Sequence, residues 1–353
     1  MMRSVLSAYG LEEKSLKMEP FGSGLINHTW KITTKDKQFI LQKVNHSVFE
    51  KPDSIAHNIR LIAGYLAAHF PGYRFVAPIP SSEGTEMIYL KDEGFFRMFP
   101  FIIDSHTKDV VETPEQAYEA ATQFGKFTQL LSDFDVSRLK ITIPHFHDLA
   151  LRYQQFLQAL EKGNNKRIAA SEALIKILLR HSDIVTEYNN IKSNPVFKLR
   201  VTHHDTKISN VLFDDKNKGI CVIDLDTLMP GYFISDVGDM MRTYLSPVSE
   251  EEKNFSKIEV RDEFYKAIVQ GYYNEMKEVL TETEKKSFFY AGKFMIYMQA
   301  LRFLTDHLND DIYYGAKYKG QNFVRANNQA VLLKRLLEKE TILTDKNIFE
   351  GRM

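Results

Sequence analysis

The chain carries a single cysteine, Cys221. That scarcity excludes an internal disulfide framework and any zinc site built from cysteines. Cys221 lies in the apolar run GICVIDL, where an inert buried thiol is the expected state. Net charge is also missing, because Lys plus Arg and Asp plus Glu both total 46. Such a balance excludes an affinity resting on phosphate-backbone contacts, so nucleic acid is not an expected partner. No run is long and apolar enough to cross a bilayer, and MMRSVLSAYGLEEKS has no hydrophobic segment of useful length before its first acidic residues. No membrane partner is expected, and the simplest location is cytoplasmic. Internal repeats, low-complexity segments and long linkers are absent as well.

What is present is a globular composition, 44% apolar over 353 residues, enough for two or three ordinary domains or one two-lobed enzyme. Alternating apolar positions over 16–46, with a glycine turn at Gly22–Gly24 and a polar turn at Thr34–Lys37, predict strands. The stripe Ile55, Ile59, Ile62 and Leu66 predicts a helix over 53–69, capped by Asp53 and stopped at Pro71-Gly72. Two further strands are expected around EMIYL and FFRMFPFI. From 113 the period becomes helical. Thr113, Pro114 and Gln116 form a capping box with proline in the first turn. Further helices are expected near 145–162, 170–190, 251–277, 282–308 and 322–340, with Thr281 and Glu284 as a second capping box. The helix from 282 is apolar nearly all round and should be buried. The pattern predicts an α+β chain: a small β-rich N-terminal lobe over 1–101, and a larger, mostly helical lobe over 102–353.

The densest polar cluster is VTHHDTKISNVLFDD, which begins at Val201 between apolar runs. Asp205 and Asn210 stand five residues apart. In phosphoryl transfer an aspartate orients the attacking hydroxyl, and an asparagine amide oxygen helps hold Mg²⁺. CVIDLD then places Asp224 at the end of an apolar strand, where a carboxylate can bind the metal that bridges ATP phosphates. Asp and Asn between strands usually make turns. The combination of both motifs with an upstream glycine turn tips the reading toward chemistry. That turn makes Gly22, Ser23 and Gly24 candidate nucleotide contacts, with backbone N–H groups at Ser23–Ile26 able to lie over phosphates. On the next strand Lys43 is the candidate to reach them, with Gln42 on the opposite face. Adjacent His203 and His204 should point apart on a strand, so one ion cannot take both; His203 is expected to brace the loop. In SDVGDMMR, Asp236 is expected to hold that loop through its N–H groups. Asp226 should share the side of an extended segment with Asp224.

These residues resemble the aminoglycoside phosphotransferase and choline kinase superfamily, which has a protein-kinase-like fold. HHDTKISNVLF and VIDLD carry the resemblance. The segments GSGLINHTW, FGKFTQLLSDF, IPHFHDLALR, VIDLDTLMPG, DVGDMMR and RFLTDHLNDDIYYG are similar to N-acetylhexosamine 1-kinases. The resemblance implies Asp205 as catalytic base, Asn210 and Asp224 as Mg²⁺ ligands, and ATP with its adenine near Phe99, Phe101 and Ile102. It also implies Arg302 and Tyr313 as sugar-contacting residues, with His28 and Asn27 as further substrate candidates. The implied activity is ATP- and Mg²⁺-dependent phosphorylation of the anomeric hydroxyl of an N-acetylhexosamine, N-acetylglucosamine or N-acetylgalactosamine. Its alternatives are a related kinase of another small alcohol and a non-catalytic pseudokinase. One departure stands out: kinase folds pair the strand lysine with a glutamate on the first helix, and DSIAHNIRLIAGYLAAHF contains none.

Overall fold

The computed structural model describes residues 2–22 and 27–344. Ser23 and Gly24 of the glycine turn lie outside the described residues. In chain order the elements are α1 (Met2–Ala8), β1 (Lys17–Pro20), β2 (His28–Thr33), β3 (Gln38–Val44), α2 (Pro52–His69), β4 (Ile88–Leu90), β5 (Gly94–Pro100), α3 (Pro114–Leu130), α4 (Leu149–Lys162), α5 (Asn165–Ala170), α6 (Glu172–Arg180) and α7 (Asp183–Ser193). They continue with β6 (Arg200–Thr202), β7 (Val211–Phe213), β8 (Gly219–Val222), α8 (Phe233–Tyr244), α9 (Asp262–Met276), α10 (Glu282–Lys285), α11 (Phe288–Leu308), α12 (Gln321–Glu338) and α13 (Glu340–Leu343). The fold is α+β, as the patterning predicts. The chain forms two compact units, one gathering Met1–Thr107, Asp133–Pro144 and Leu212–Pro230, the other Lys108–Ser132, His145–Val211 and Gly231–Met353.

The first unit is built on a five-stranded antiparallel sheet of order β1-β2-β3-β5-β4. Alternation buries Ile32, Leu41, Phe96 and Met98 on one face, where Val5 and Leu6 of α1 cover them. Helix α2 buries the predicted stripe Ile55, Ile59, Ile62 and Leu66. Each such side chain contributes on the order of 1.5–3 kcal/mol. Its start differs from expectation: Lys51 is the N-cap and Pro52 the first helical residue, so Asp53 does not cap. Proline, with its φ preset and no N–H to satisfy, fixes the boundary two residues early. Asp53 remains in the first turn, where a carboxylate favours the helix dipole.

The second unit is helical, with α3 against α9 and α11 against α4, α8 and α12. α11 is buried on almost every side, which accounts for its lack of a polar face. The expected helix over 282–308 is two helices. Thr281 and Glu284 do form a capping box. Glu284, however, also binds buried Arg200 through a fork of 2.6 and 2.9 Å, and α10 ends at Lys285 before α11 begins at Phe288. The expected 170–190 helix divides in the same way into α6 and α7, and 251–277 shortens to α9. At Thr113 the cap is partly as predicted: its side chain accepts from Gln116 N, while Gln116 Oε1 accepts from Glu112 N, one residue before the cap. Among the described residues no helix is long and apolar enough to cross a membrane.

Candidate active site

In the second unit, β6 leads into the Asp205 loop, and α8 holds that loop residue by residue. Asp236 accepts from His203 N at 3.0 Å and His204 N at 2.7 Å. Asp239 accepts from Thr206 N at 2.8 Å. The Thr206 hydroxyl donates to Asp236 O, and the Tyr244 hydroxyl donates to Thr206 O at 2.6 Å. Asp236 and Asp239, three residues apart, are neighbours on the helix surface, and Tyr244 reaches the same loop two turns further on. Asp236 therefore does what its helix-start position predicts. Burial pushes its carboxyl up to about 7, against the opposing pull of the two N–H donors. Asp239 also accepts from Arg242, which extends the network to Glu250.

Held this way, Asp205 faces Lys207 Nζ at 3.0 Å. Burial alone would raise its pKa, but the Lys207 ammonium, with His203 and Arg242, holds the carboxyl below the usual aspartate value. Asn210 ends a one-turn 3₁₀ helix, Ile208–Asn210. Its Nδ2 donates to Asp205 O at 2.8 Å and to Asp205 Oδ2 at 3.2 Å. The amide hydrogens are thus spent within the loop, leaving the amide oxygen as the group this residue can offer a cation.

His203 braces the loop as expected, with its Nδ1 accepting from Asp205 N at 3.4 Å. His204 departs from the simple strand picture. Its φ is 66°, in the left-handed region, and its ring sits 5.3 Å from that of His147. A Cβ added at Gly231 would come within 2.5 Å of His204 Nε2, so glycine is what allows this ring to settle.

The same unit carries Arg302 and Tyr313. Arg302 donates to Gln299 at 3.1 Å and approaches the Tyr313 hydroxyl at 3.5 Å. Its guanidinium lies 5.4 to 5.9 Å from the rings of Phe146, Tyr313 and Tyr314. Among the described residues no carboxylate pairs with it, so the partner its apolar helix demands is not supplied as an ion pair. Asp306 accepts from Tyr313 N and Tyr314 N and so fixes the loop that carries Tyr313. Tyr313 itself is 69% exposed. Nearby Arg152 has a buried Nε without a hydrogen-bond partner; burial, then the charge of Arg302, lowers its pKa. His147 is held well below its usual value by burial, then by His204, Arg302 and other cations.

The first unit carries the remaining candidates. Asp224 is exposed and adopts the left-handed region, φ 59° and ψ 63°, just before the turn Leu225–Thr227. Asp226 does not share its side of an extended segment. It is buried and ion-paired to Arg97 at 2.5 Å. The intervening 3₁₀ turn turns the two carboxylates apart. Arg97 and the Asn58 side chain, which donates to Leu228 O, are site-shaping residues that local patterning did not flag. The signal was there: an arginine inside GFFRMFP needs a buried partner.

Gln42 and Lys43 alternate across β3 as expected. Gln42 accepts from Arg97 Nε and Nη2, whereas Lys43 Nζ lies 5.8 Å from the Phe96 ring. Gly22 has φ 81° at the end of the β1–β2 hairpin, which glycine adopts without strain. Phe21 stacks edge-on against Phe101 at 5.9 Å, and Phe99 lies under Arg97 at 5.0 Å. The Phe101 N–H donates to Gln38 O at 3.1 Å, and Lys31 Nζ lies 3.8 Å from the Phe101 ring. His28 is exposed, opposite Lys43 and stacked on Trp30, and Asn27 donates to Asp226. The Asn210 amide oxygen and the Asp224 carboxylate are each hard oxygen donors, the kind that suits Mg²⁺.

Known proteins share this fold. The solved spectinomycin phosphotransferase in complex with ADP and spectinomycin is 13% identical, with TM-score 0.61 over 96% of this chain and 97% of that one. An amicoumacin kinase in complex with AMP-PNP and Ca²⁺ is 14% identical, with TM-score 0.62 over 95% and 92%. The choline kinase of Cryptosporidium parvum Iowa II is 15% identical, with TM-score 0.55 over 96% and 92%. At these identities the likeness speaks for fold. The sequence pattern of the phosphotransferase enzyme family matches residues 17–280, well over half of the chain. By that match this chain belongs to the phosphotransferase enzyme family.

Proposed function

We propose that this phosphotransferase is an ATP- and Mg²⁺-dependent kinase of a small neutral sugar, and that its acceptor is the anomeric hydroxyl of an N-acetylhexosamine. Asp205 is the group that receives the acceptor's proton. The bond from acceptor oxygen to the γ-phosphorus forms as the β–γ bridging bond breaks, and ADP departs. An acid held ionised by Lys207 and aimed by Asp236 suits that role. Asn210 and Asp224 would hold Mg²⁺, which neutralises phosphate charge when bound. The aromatic pair of exposed Phe21 and half-buried Phe101 is the candidate support for adenine, and Lys43 the candidate phosphate contact.

The acceptor half of the reading is carried by one observation: among the described residues Arg302 has no carboxylate partner, and it stands among Phe146, Tyr313 and Tyr314, near enough to Arg152 to add to the lowering of that residue's pKa by burial. Such a corner disfavours cationic acceptors and welcomes a polyhydroxyl or carbonyl oxygen. A choline-type site would instead want an aromatic cage without arginines.

The test is phosphate transfer from γ-labelled ATP across N-acetylglucosamine, N-acetylgalactosamine, glucose, choline and kanamycin. Turnover should be confined to the N-acetylhexosamines and should fall roughly 10²- to 10⁴-fold in Asp205→Ala, the scale of a positioned base. Transfer to choline or kanamycin, with the sugars inert, would overturn the acceptor assignment.

A further inference from the structure

The turn that follows Asp224 is clamped at two points. Asp226 Oδ1 meets Arg97 Nη1 at 2.5 Å, and its Oδ2 accepts from Asn27 Nδ2 at 2.9 Å. Arg97 is locked in turn, because its Nε and Nη2 both donate to Gln42 Oε1. Asn27 is fixed by accepting from Asn45 N. Two residues on, Leu228 O accepts from Asn58 of α2 at 2.8 Å, and Asn58 Oδ1 accepts from Lys140 N at 2.8 Å. The sheet and α2 therefore each grip the segment that carries Asp224.

A grip is useful there. Asp224 adopts φ 59°, a left-handed conformation that aspartate visits more readily than most side chains but still at some cost. A buried ion pair is also a poor device for stability alone, since well-packed apolar residues commonly serve as well. Its better-attested use is to fix one geometry among several. The strand lysine of the kinase pattern has no helix glutamate to pair with, because α2 contains none.

We propose that Arg97 and Asp226 are positioning residues for the metal site: their buried ion pair ties the sheet to the Asp224 turn in place of a lysine–glutamate pair. This rests on reading Asp224 as a Mg²⁺ ligand. The pair aims the Asp224 carboxylate and contributes to metal affinity without touching the metal. Its loss raises the metal requirement and leaves the acceptor's KM alone.

The experiment compares wild type with the double variant Arg97→Met, Asp226→Leu, which replaces the charges by apolar side chains of similar reach. Mn²⁺ binding in the presence of AMP-PNP is read by electron paramagnetic resonance, beside the Mg²⁺ dependence of turnover and the melting temperature. The inference expects a folded protein whose Mn²⁺ affinity is weaker by roughly tenfold or more, the scale of groups that orient metal ligands. A folded double variant with Mn²⁺ affinity and Mg²⁺ requirement within about twofold of wild type overturns it. If the double variant does not fold, Arg97→Lys keeps the charge and removes the fork to Gln42. It should shift the Mn²⁺ response by several-fold, and an unchanged response overturns the inference. Asp224→Ala separates the premise from the inference: wild-type Mn²⁺ binding there removes the metal-ligand reading itself, whereas loss there with a normal double variant removes only the positioning role.

Discussion

Two carboxylates, Asp205 and Asp224, are presented by different physical means. The Asp205 loop is held by its own backbone: N–H groups of His203, His204 and Thr206 point into Asp236 and Asp239 of the next helix. The Asp224 turn is held by side chains from distant parts of its unit, Arg97 from β5 and Asn58 from α2. Backbone capping is local and repeats along a helix face. Side-chain clamping must be assembled by the tertiary fold. The first should survive changes in surrounding side chains, and the second should fail when one charge is removed.

The largest effect should come from breaking the charge clamp on one side. Asp226→Ala leaves Arg97 buried without its counter-ion and should cost about 3–5 kcal/mol, read by urea unfolding. A loss below about 1 kcal/mol would show that Arg97 escapes to water and that the clamp is weak. Next comes the backbone device. Asp236→Ala strands two buried N–H groups, for an expected loss of about 2–4 kcal/mol together. A larger loss here than in Asp226→Ala would reverse the comparison.

Gly231→Ala is a subtler attack on the Asp205 loop. The added methyl would meet His204 Nε2 at 2.5 Å and Thr202 Oγ1 at 2.8 Å, so the ring must move. Overpacking of this kind costs about 1–3 kcal/mol, with turnover falling as the loop shifts. Wild-type turnover and stability together would mean that His204 has room the geometry denies.

Two pH experiments sharpen the contrast. Asp236 is raised to about 7 in the fold, so between its unfolded value and 7 the folded state binds more protons. Its stabilising contribution is therefore complete below the unfolded value and is lost as pH rises through 7. The melting-temperature advantage of wild type over Asp236→Asn should shrink as pH is raised from 5 to about 7 and then level off. A widening gap would contradict the assignment. Asp205 is displaced the other way, its lowering depending on Lys207 against burial. In Lys207→Met the acidic limb of kcat/KM should move to higher pH. An unmoved limb would separate Asp205 from that limb.

How much of this was legible follows the same division. The Asp205–Asn210 spacing, the α2 stripe and the Thr113 and Thr281 caps are local, and local pattern reads them; Asp236 shows locally only as a carboxylate at a helix start, with the loop it holds 33 residues earlier. Arg97 with Asp226 is legible only as an unexplained arginine in an apolar strand, because its partner lies far along the chain. The same limit explains the break after α10: apolar periodicity runs straight through it, and Glu284 caps its own helix while binding Arg200 of β6. His204 was hidden for a different reason, since a left-handed residue at a strand end leaves no trace in periodicity.

The proposed reaction is phosphoryl transfer to the anomeric oxygen of an N-acetylhexosamine. Its most direct test is the ³¹P spectrum of the product formed from ATP and N-acetylglucosamine with Mg²⁺. The account predicts a sugar phosphate whose phosphorus couples to the anomeric proton, absent from the Asp205→Ala reaction. A phosphate coupled to the C6 protons, or no sugar phosphate beside normal transfer to an amine-bearing alcohol, would contradict it.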